Sequence, residues 1–143
     1  MTIPNSKILI DSNILINATN THSKKHKVAL EFLNQIPQGC ISIQNINEFL
    51  RASTHPVFPN PLTQSQATMQ IKNFMDSFEV ITPSEQTTLI HLNLLNKYNS
   101  TSNQIYDNYL VATMITHSIK MIATNNEKDF TKYKEIKVYN PFK

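Results

Sequence analysis

Short apolar runs rich in β-branched residues recur along this chain, and stretches with helical spacing separate most of them. The runs are Lys7–Ile10, Cys40–Ile43, Glu79–Ile81, Met121–Ala123 and Lys137–Tyr139. Val28, Leu30, Phe32 and Leu33 mark one helix between them, and Ile46, Phe49 and Leu50 a second. Ala67, Ile71, Phe74, Met75 and Phe78 mark a third, Leu89, Leu92 and Leu95 a fourth, and Tyr109, Ala112 and Ile115 a fifth. Strands that alternate with helices imply βαβ units and a parallel sheet. The Pro-rich stretch Thr54–Leu62 reads as a loop between two helices. The expectation is one α/β domain spanning residues 1–143 around a central parallel sheet, a length that suffices for a real core.

Composition removes several classes of function. Gly39 is the single glycine, so the dinucleotide fingerprint and the Walker A loop, which need several, are excluded. Cys40 is the single cysteine, which leaves no disulfide framework and no cysteine-based zinc site. It is expected to be a small core residue. No apolar run approaches the roughly 20 residues of a membrane span. The N-terminal apolar stretch ends at Asp11 with no small-residue cleavage site, so no signal peptide is read and a reducing cytoplasm fits. Net charge of +3 permits nucleic-acid binding without requiring it. His22, His26, His55, His91 and His117 form no ligand pair on a shared face and read as surface residues. No G-x-S-x-G elbow is present for a serine hydrolase.

Acidic residues number only ten, and a few fall at telling places. Asp11 directly follows the first strand run, where ligand sites of open α/β sheets gather. Asp11, Ser12 or Asn13 would serve equally to cap the next helix. Glu48 flanks an apolar stripe just after the second run, where an exposed residue paired with Arg51 is the plainer account. Asp107 shares a helix face with Leu110, Val111, Met114 and Ile115, and a carboxylate on such a stripe is costly unless paired or metal-bound. A helix-start acid near the positive dipole end explains it as well. Asn126 and Asp129 follow the run ending at Thr124 and read either as site residues or as a capping pair for a short helix. Taken together, these acids converge on one edge of a parallel sheet. Carboxylates gathered there repel one another, and a hard divalent cation such as Mg²⁺ or Mn²⁺ relieves that.

These residues carry a resemblance. The chain resembles the PIN-domain family, and within it the VapC-like toxins. A hydrophobic strand leads into Asp11-Ser12-Asn13; a helix carries Asn47-Glu48-Phe49; a Thr54-His-Pro56 to Pro61-Leu62 segment follows. Then come Asp107 followed by apolar and small residues, and Thr124-Asn-Asn126-Glu-Lys-Asp129-Phe130. The motifs run in order over nearly the whole chain. Many relatives carry an acid where this chain has Asn126, so either Asn126 or Asp129 fills the fourth position.

The resemblance implies a three-layer α/β/α fold and metal-dependent cleavage of single-stranded RNA. Asp11 and Asp107 would bind Mg²⁺ (or Mn²⁺) directly, with Glu48 and Asp129 acting directly or through water. Ser12, Asn13, Thr124 and Asn126 would hold the carboxylates by hydrogen bonds. It further implies a cognate antitoxin and a homodimer. Lys24, Lys25, Lys27, Lys128, Lys132 and Lys134 flank the motifs and are expected either to contact phosphate or to be solvated surface. Alternative readings are a PIN nuclease of RNA processing without an antitoxin, and a non-catalytic PIN-like RNA-binding or interaction module. A metal-dependent phosphomonoesterase is a further alternative.

Overall fold

The computed structural model describes residues 3–143. Five parallel strands form one sheet: β1 (Ile8–Ile10), β2 (Gly39–Ser42), β3 (Glu79–Ile81), β4 (Met121–Ala123) and β5 (Lys137–Tyr139). Their spatial order is β3-β2-β1-β4-β5, and every pairing is parallel. Seven helices connect them: α1 (Ser12–Thr19), α2 (His26–Gln35), α3 (Ile43–Thr54), α4 (Gln64–Ser77), α5 (Glu85–Tyr98), α6 (Gln104–Thr116) and α7 (Glu127–Phe130). From β1 the chain first builds outward through β2 to β3. It then returns to the other side of β1 and builds outward through β4 to β5. The order therefore reverses between β1 and β4.

Helices cover both faces of the sheet, which makes the expected three layers. Alternate residues of each strand point to opposite faces, so each strand feeds two cores. Ile8, Ile10, Ile41 and Ala123 meet α1 through α4, in a core that includes Leu15, Phe32, Phe49, Ile71 and Phe74. Leu9, Cys40, Ile81 and Ile122 meet α5 through α7, in a core that includes Leu94, Leu110, Met114, Phe130 and Tyr133. Burial on both faces is why the central strands read as unbroken apolar runs. Gly39 is required by packing: a Cβ there would lie 2.6 Å from Phe78 Cδ1 and 2.9 Å from Ile10 Cδ1.

The expected runs become strands, with the second ending at Ser42 so that Ile43 opens a helix. Ser42 forces that change. Its hydroxyl accepts from Asn45 N–H at 3.1 Å, and Asn45 Oδ1 accepts from Ser42 N–H at 3.0 Å, closing a reciprocal cap. Three helix faces differ from the sequence reading, and on α4 the difference is Met75, which is exposed while Ala67, Ile71 and Phe74 point inward. On α2 the inward stripe is Ala29, Phe32 and Leu33, while Val28 and Leu30 are exposed. On α5, Leu94 and Thr87 point inward, while Leu89 and Leu92 are exposed. The Pro-rich stretch is a loop between α3 and α4, as expected. Among the described residues no helix is long and apolar enough to cross a membrane.

Candidate active site

β1 and β4 end side by side at the point where strand order reverses, and crevices for ligands form outside the carboxyl ends of strands at such points. Asp11 is the first residue after β1 and Thr124 the first after β4. Asp11 N–H donates to Ala123 C=O at 2.9 Å, so the main chain itself joins the two edges.

Asp11 is buried and saturated with donors. Its Oδ1 accepts from Ser12 N–H at 2.8 Å, which makes it the cap of α1. Its Oδ2 accepts from Thr124 Oγ1 at 2.7 Å and from Asn13 Nδ2 at 3.1 Å. One oxygen thus caps α1, and the other ties the end of β1 to α1 and to the residue after β4. Asn13 also donates to Thr124 Oγ1 at 3.1 Å and accepts from Asn125 N–H at 3.1 Å, lacing α1 to the loop after β4. Thr124 Oγ1 accepts in addition from Asn126 N–H at 3.0 Å.

The other acids arrive from three helices. Glu48 stands on α3 six residues past its Ser42 cap, and its Oε2 accepts from Ser12 Oγ at 3.2 Å. That contact takes the place of the pairing with Arg51. Asp107 lies in the first turn of α6, half-buried above Leu110, Val111 and Met114. Asp129 is on α7. Asn126 precedes α7, but its side chain forms no cap, so the capping-pair account of Asn126 and Asp129 does not hold. Asp11, Ser12, Asn13, Glu48, Asp107, Asn126 and Asp129 together line one cavity of about 250 Å³.

Among the described residues no cation forms an ion pair with this cluster. The three ion pairs among the described residues, Lys7–Glu79, Lys97–Glu135 and Lys143–Glu127, all lie elsewhere. Burial pushes the Asp11 carboxyl up to about 6; the Thr124 hydrogen bond opposes this, and the Glu48 charge reinforces it. Burial likewise pushes Asp107 up to about 7, reinforced by Asp129, Asp11 and Glu48 and opposed by Lys132. As they stand, no three Asp, Glu, His or Cys side chains among the described residues are grouped tightly enough to hold one ion. The donor set is oxygen throughout, without an ion pair among the described residues, and saturated behind Asp11 by hydrogen-bond donors, and this suits a hard divalent ion.

The expected lysines are spread more widely. Lys132 is near enough to Asp107 to favour its ionised form. Lys25 lies over the Phe142 ring at 5.4 Å and Lys132 over Tyr133 at 5.2 Å. Lys24, Lys27, Lys128 and Lys134 are exposed, and none of the six lines the cavity. One group was missed by sequence reading. Asn108, wholly buried beside Asp107, accepts from Ser100 Oγ at 3.1 Å and donates to both Nδ1 and C=O of His91 at 3.1 Å. His91 is therefore a buried-edge residue bridging α5 and α6, and its burial lowers its pKa. An amide among the apolar residues Tyr109, Leu110 and Val111 was the available signal.

The fold and site define a class: a three-layer α/β/α domain with an acidic cavity at the switch point of a parallel sheet. The PIN domain family model matches residues 8–136, and the chain belongs to the PIN-domain family. It is similar to "Ribonuclease VapC37" of Mycobacterium tuberculosis, at 24% identity over 93% of this chain and 96% of that protein. Its fold is similar to that of VapBC2 from Rickettsia felis, crystallised bound to a promoter DNA fragment. The TM-score is 0.69 and the identity 21%, covering 94% of this chain and 98% of the other. It is also similar to VapC20 of Mycobacterium tuberculosis, described as a sarcin-ricin loop cleaving toxin. There the TM-score is 0.68 and the identity 13%, covering 91% and 98% of the two chains.

Proposed function

We propose that this chain is a divalent-metal-dependent endoribonuclease and the toxin of a toxin–antitoxin pair. It acts in the cytoplasm as a homodimer and is restrained by an antitoxin that covers the acidic cavity. The observation that carries this reading is the set of four carboxylates around one cavity with no paired cation. Family membership and a ribonuclease relative aligned over nearly the full length support it.

Asp11 and Asp107 would hold Mg²⁺ or Mn²⁺, with Glu48 and Asp129 ligating directly or through water. Such an ion, when bound, makes a nucleophile of its water at neutral pH and neutralises charge on the scissile phosphate. The protein's own work is orientation. Thr124 and Asn13 fix the Asp11 carboxylate from behind, and Ser12 turns Glu48 toward the cavity. Asp129 and Asn126, both exposed at the cavity, would meet the substrate as it enters. Attack by water on phosphorus leaves a 5′-phosphate and a 3′-hydroxyl, and no histidine is needed.

The test is cleavage of total cellular RNA by purified protein with Mg²⁺ or Mn²⁺, then with EDTA, beside Asp11→Ala. Metal-dependent cleavage that disappears in Asp11→Ala is expected. Folded, antitoxin-free protein that neither cuts any RNA nor binds a divalent ion overturns the reading and favours a non-catalytic module.

A further inference from the structure

A second, larger cleft of about 860 Å³ opens beside the acidic cavity, between α3, α6 and the segment after β3. Glu48 and Asp107 belong to both. Ile43, Pro83 and Tyr109 give it apolar walls. Tyr106, next to Asp107 in the chain, stands at its rim with 67% of its surface exposed. Gln44 Nε2 donates to Tyr106 C=O at 3.0 Å, which ties the first turn of α6 to α3 across the cleft. Arg51 is the one cation that lines either space, and it follows Glu48 by three residues on α3. Among the described residues its guanidinium makes no ion pair.

We infer that this cleft is the subsite for the nucleotide flanking the scissile phosphate, its base lying against the Tyr106 ring and its phosphate on Arg51. The inference rests on the ribonuclease reading and extends it to the substrate's grip. An RNA strand brought to four carboxylates is repelled unless a cation nearby takes a phosphate. A guanidinium offers that phosphate a two-pronged contact. An exposed tyrosine alone is ordinary. Beside an unpaired guanidinium, in a cleft continuous with the carboxylates and large enough for a nucleotide, it supplies the stacking platform and cation used to grip single strands.

Binding is measured without cleavage, by fluorescence anisotropy of a labelled single-stranded RNA of randomised sequence in EDTA over a range of salt. Tyr106→Ala is expected to weaken binding roughly 5- to 100-fold, and Tyr106→Phe, which keeps the ring, to stay close to wild type. Arg51→Gln is expected to flatten the logarithmic salt slope by about 0.7, and Arg51→Lys to restore it. Both side chains are exposed, and circular dichroism checks that each variant is folded. If wild type cleaves RNA with Mg²⁺ while Tyr106→Ala and Arg51→Gln bind like wild type, the subsite is overturned and the cleft falls to a protein partner. A loss confined to the Arg51 variant overturns the stacking assignment. Wild-type protein that neither binds nor cuts RNA overturns the ribonuclease reading itself.

Discussion

Thr124 Oγ1 donates to Asp11 Oδ2 at 2.7 Å, across 113 positions of sequence and across the β1–β4 junction. The same hydroxyl oxygen accepts from Asn13 Nδ2 and from Asn126 N–H. One threonine thus fixes the central carboxylate, an amide of α1 and the turn before α7.

Thr124→Val keeps the shape and removes the hydroxyl, leaving three buried or half-buried groups short of a partner. It is expected to destabilise the fold by about 1–3 kcal/mol in urea unfolding. It should also weaken Mn²⁺ binding by roughly 10- to 100-fold in calorimetric titration. Thr124→Ser should recover most of both. Unaltered Mn²⁺ affinity in Thr124→Val would show that Asp11 needs no such support.

Stability should depend on pH in an unusual direction. Asp11 and Asp107 are held above the ordinary carboxylate value, to about 6 and about 7. The folded state therefore keeps their protons more tightly than the unfolded chain does. Their contribution is fully present below the unfolded value near 4 and is lost as pH rises through about 6 and 7. Half-buried His91 acts in the opposite sense, but only below its ordinary value near 6.5. The clean window is accordingly about pH 7 to 8, where the melting temperature of metal-free protein should fall. Asp107→Asn should flatten that fall, and added Mn²⁺ should raise the melting temperature more at the upper end. A metal-free melting temperature that rises across this window contradicts the account.

Lys128, Lys132 and Lys134 flank the cavity's α7 side. Replacing all three with Gln should weaken RNA binding and flatten its salt slope by up to about 2, at about 0.7 per phosphate contact on a single strand. An unchanged slope would mean that they are solvated surface only.

Asn108 holds α5, α6 and the Ser100 turn through buried hydrogen bonds. Asn108→Ala leaves Ser100 and His91 without those partners and should cost about 1–3 kcal/mol or more. Chemical denaturation would read it, and a loss well under 1 kcal/mol would mean that water substitutes for the amide.

What was legible in the sequence follows from which features are local. Asp11-Ser12-Asn13 after an apolar run announces a strand edge and a helix start because cap and site share the same three residues. The strand runs are legible because both faces are buried. Val28, Leu30, Leu89 and Leu92 misled because a helix rich in apolar residues presents more than one candidate stripe, and only tertiary packing chooses. The Asn108–His91 bridge and the Arg51–Tyr106 cleft were invisible for a different reason. Each joins residues on separate helices, and no spacing within one helix encodes them.

The order β3-β2-β1-β4-β5 also sets a timetable for synthesis. The first core draws on residues 8–81 apart from Ala123 and a few flanking side chains, so nearly all of its chain has been made before α6, β4 and α7. Asp11 and Glu48 are in place by then, but Thr124, Asp107 and Asp129 do not yet exist. At roughly 5–20 residues per second, several seconds separate the first half-domain from a complete cavity. A nascent chain consequently carries only two of the four cavity carboxylates until α6 and α7 have been made, and it lacks the Thr124 hydroxyl that holds Asp11 until β4 is complete.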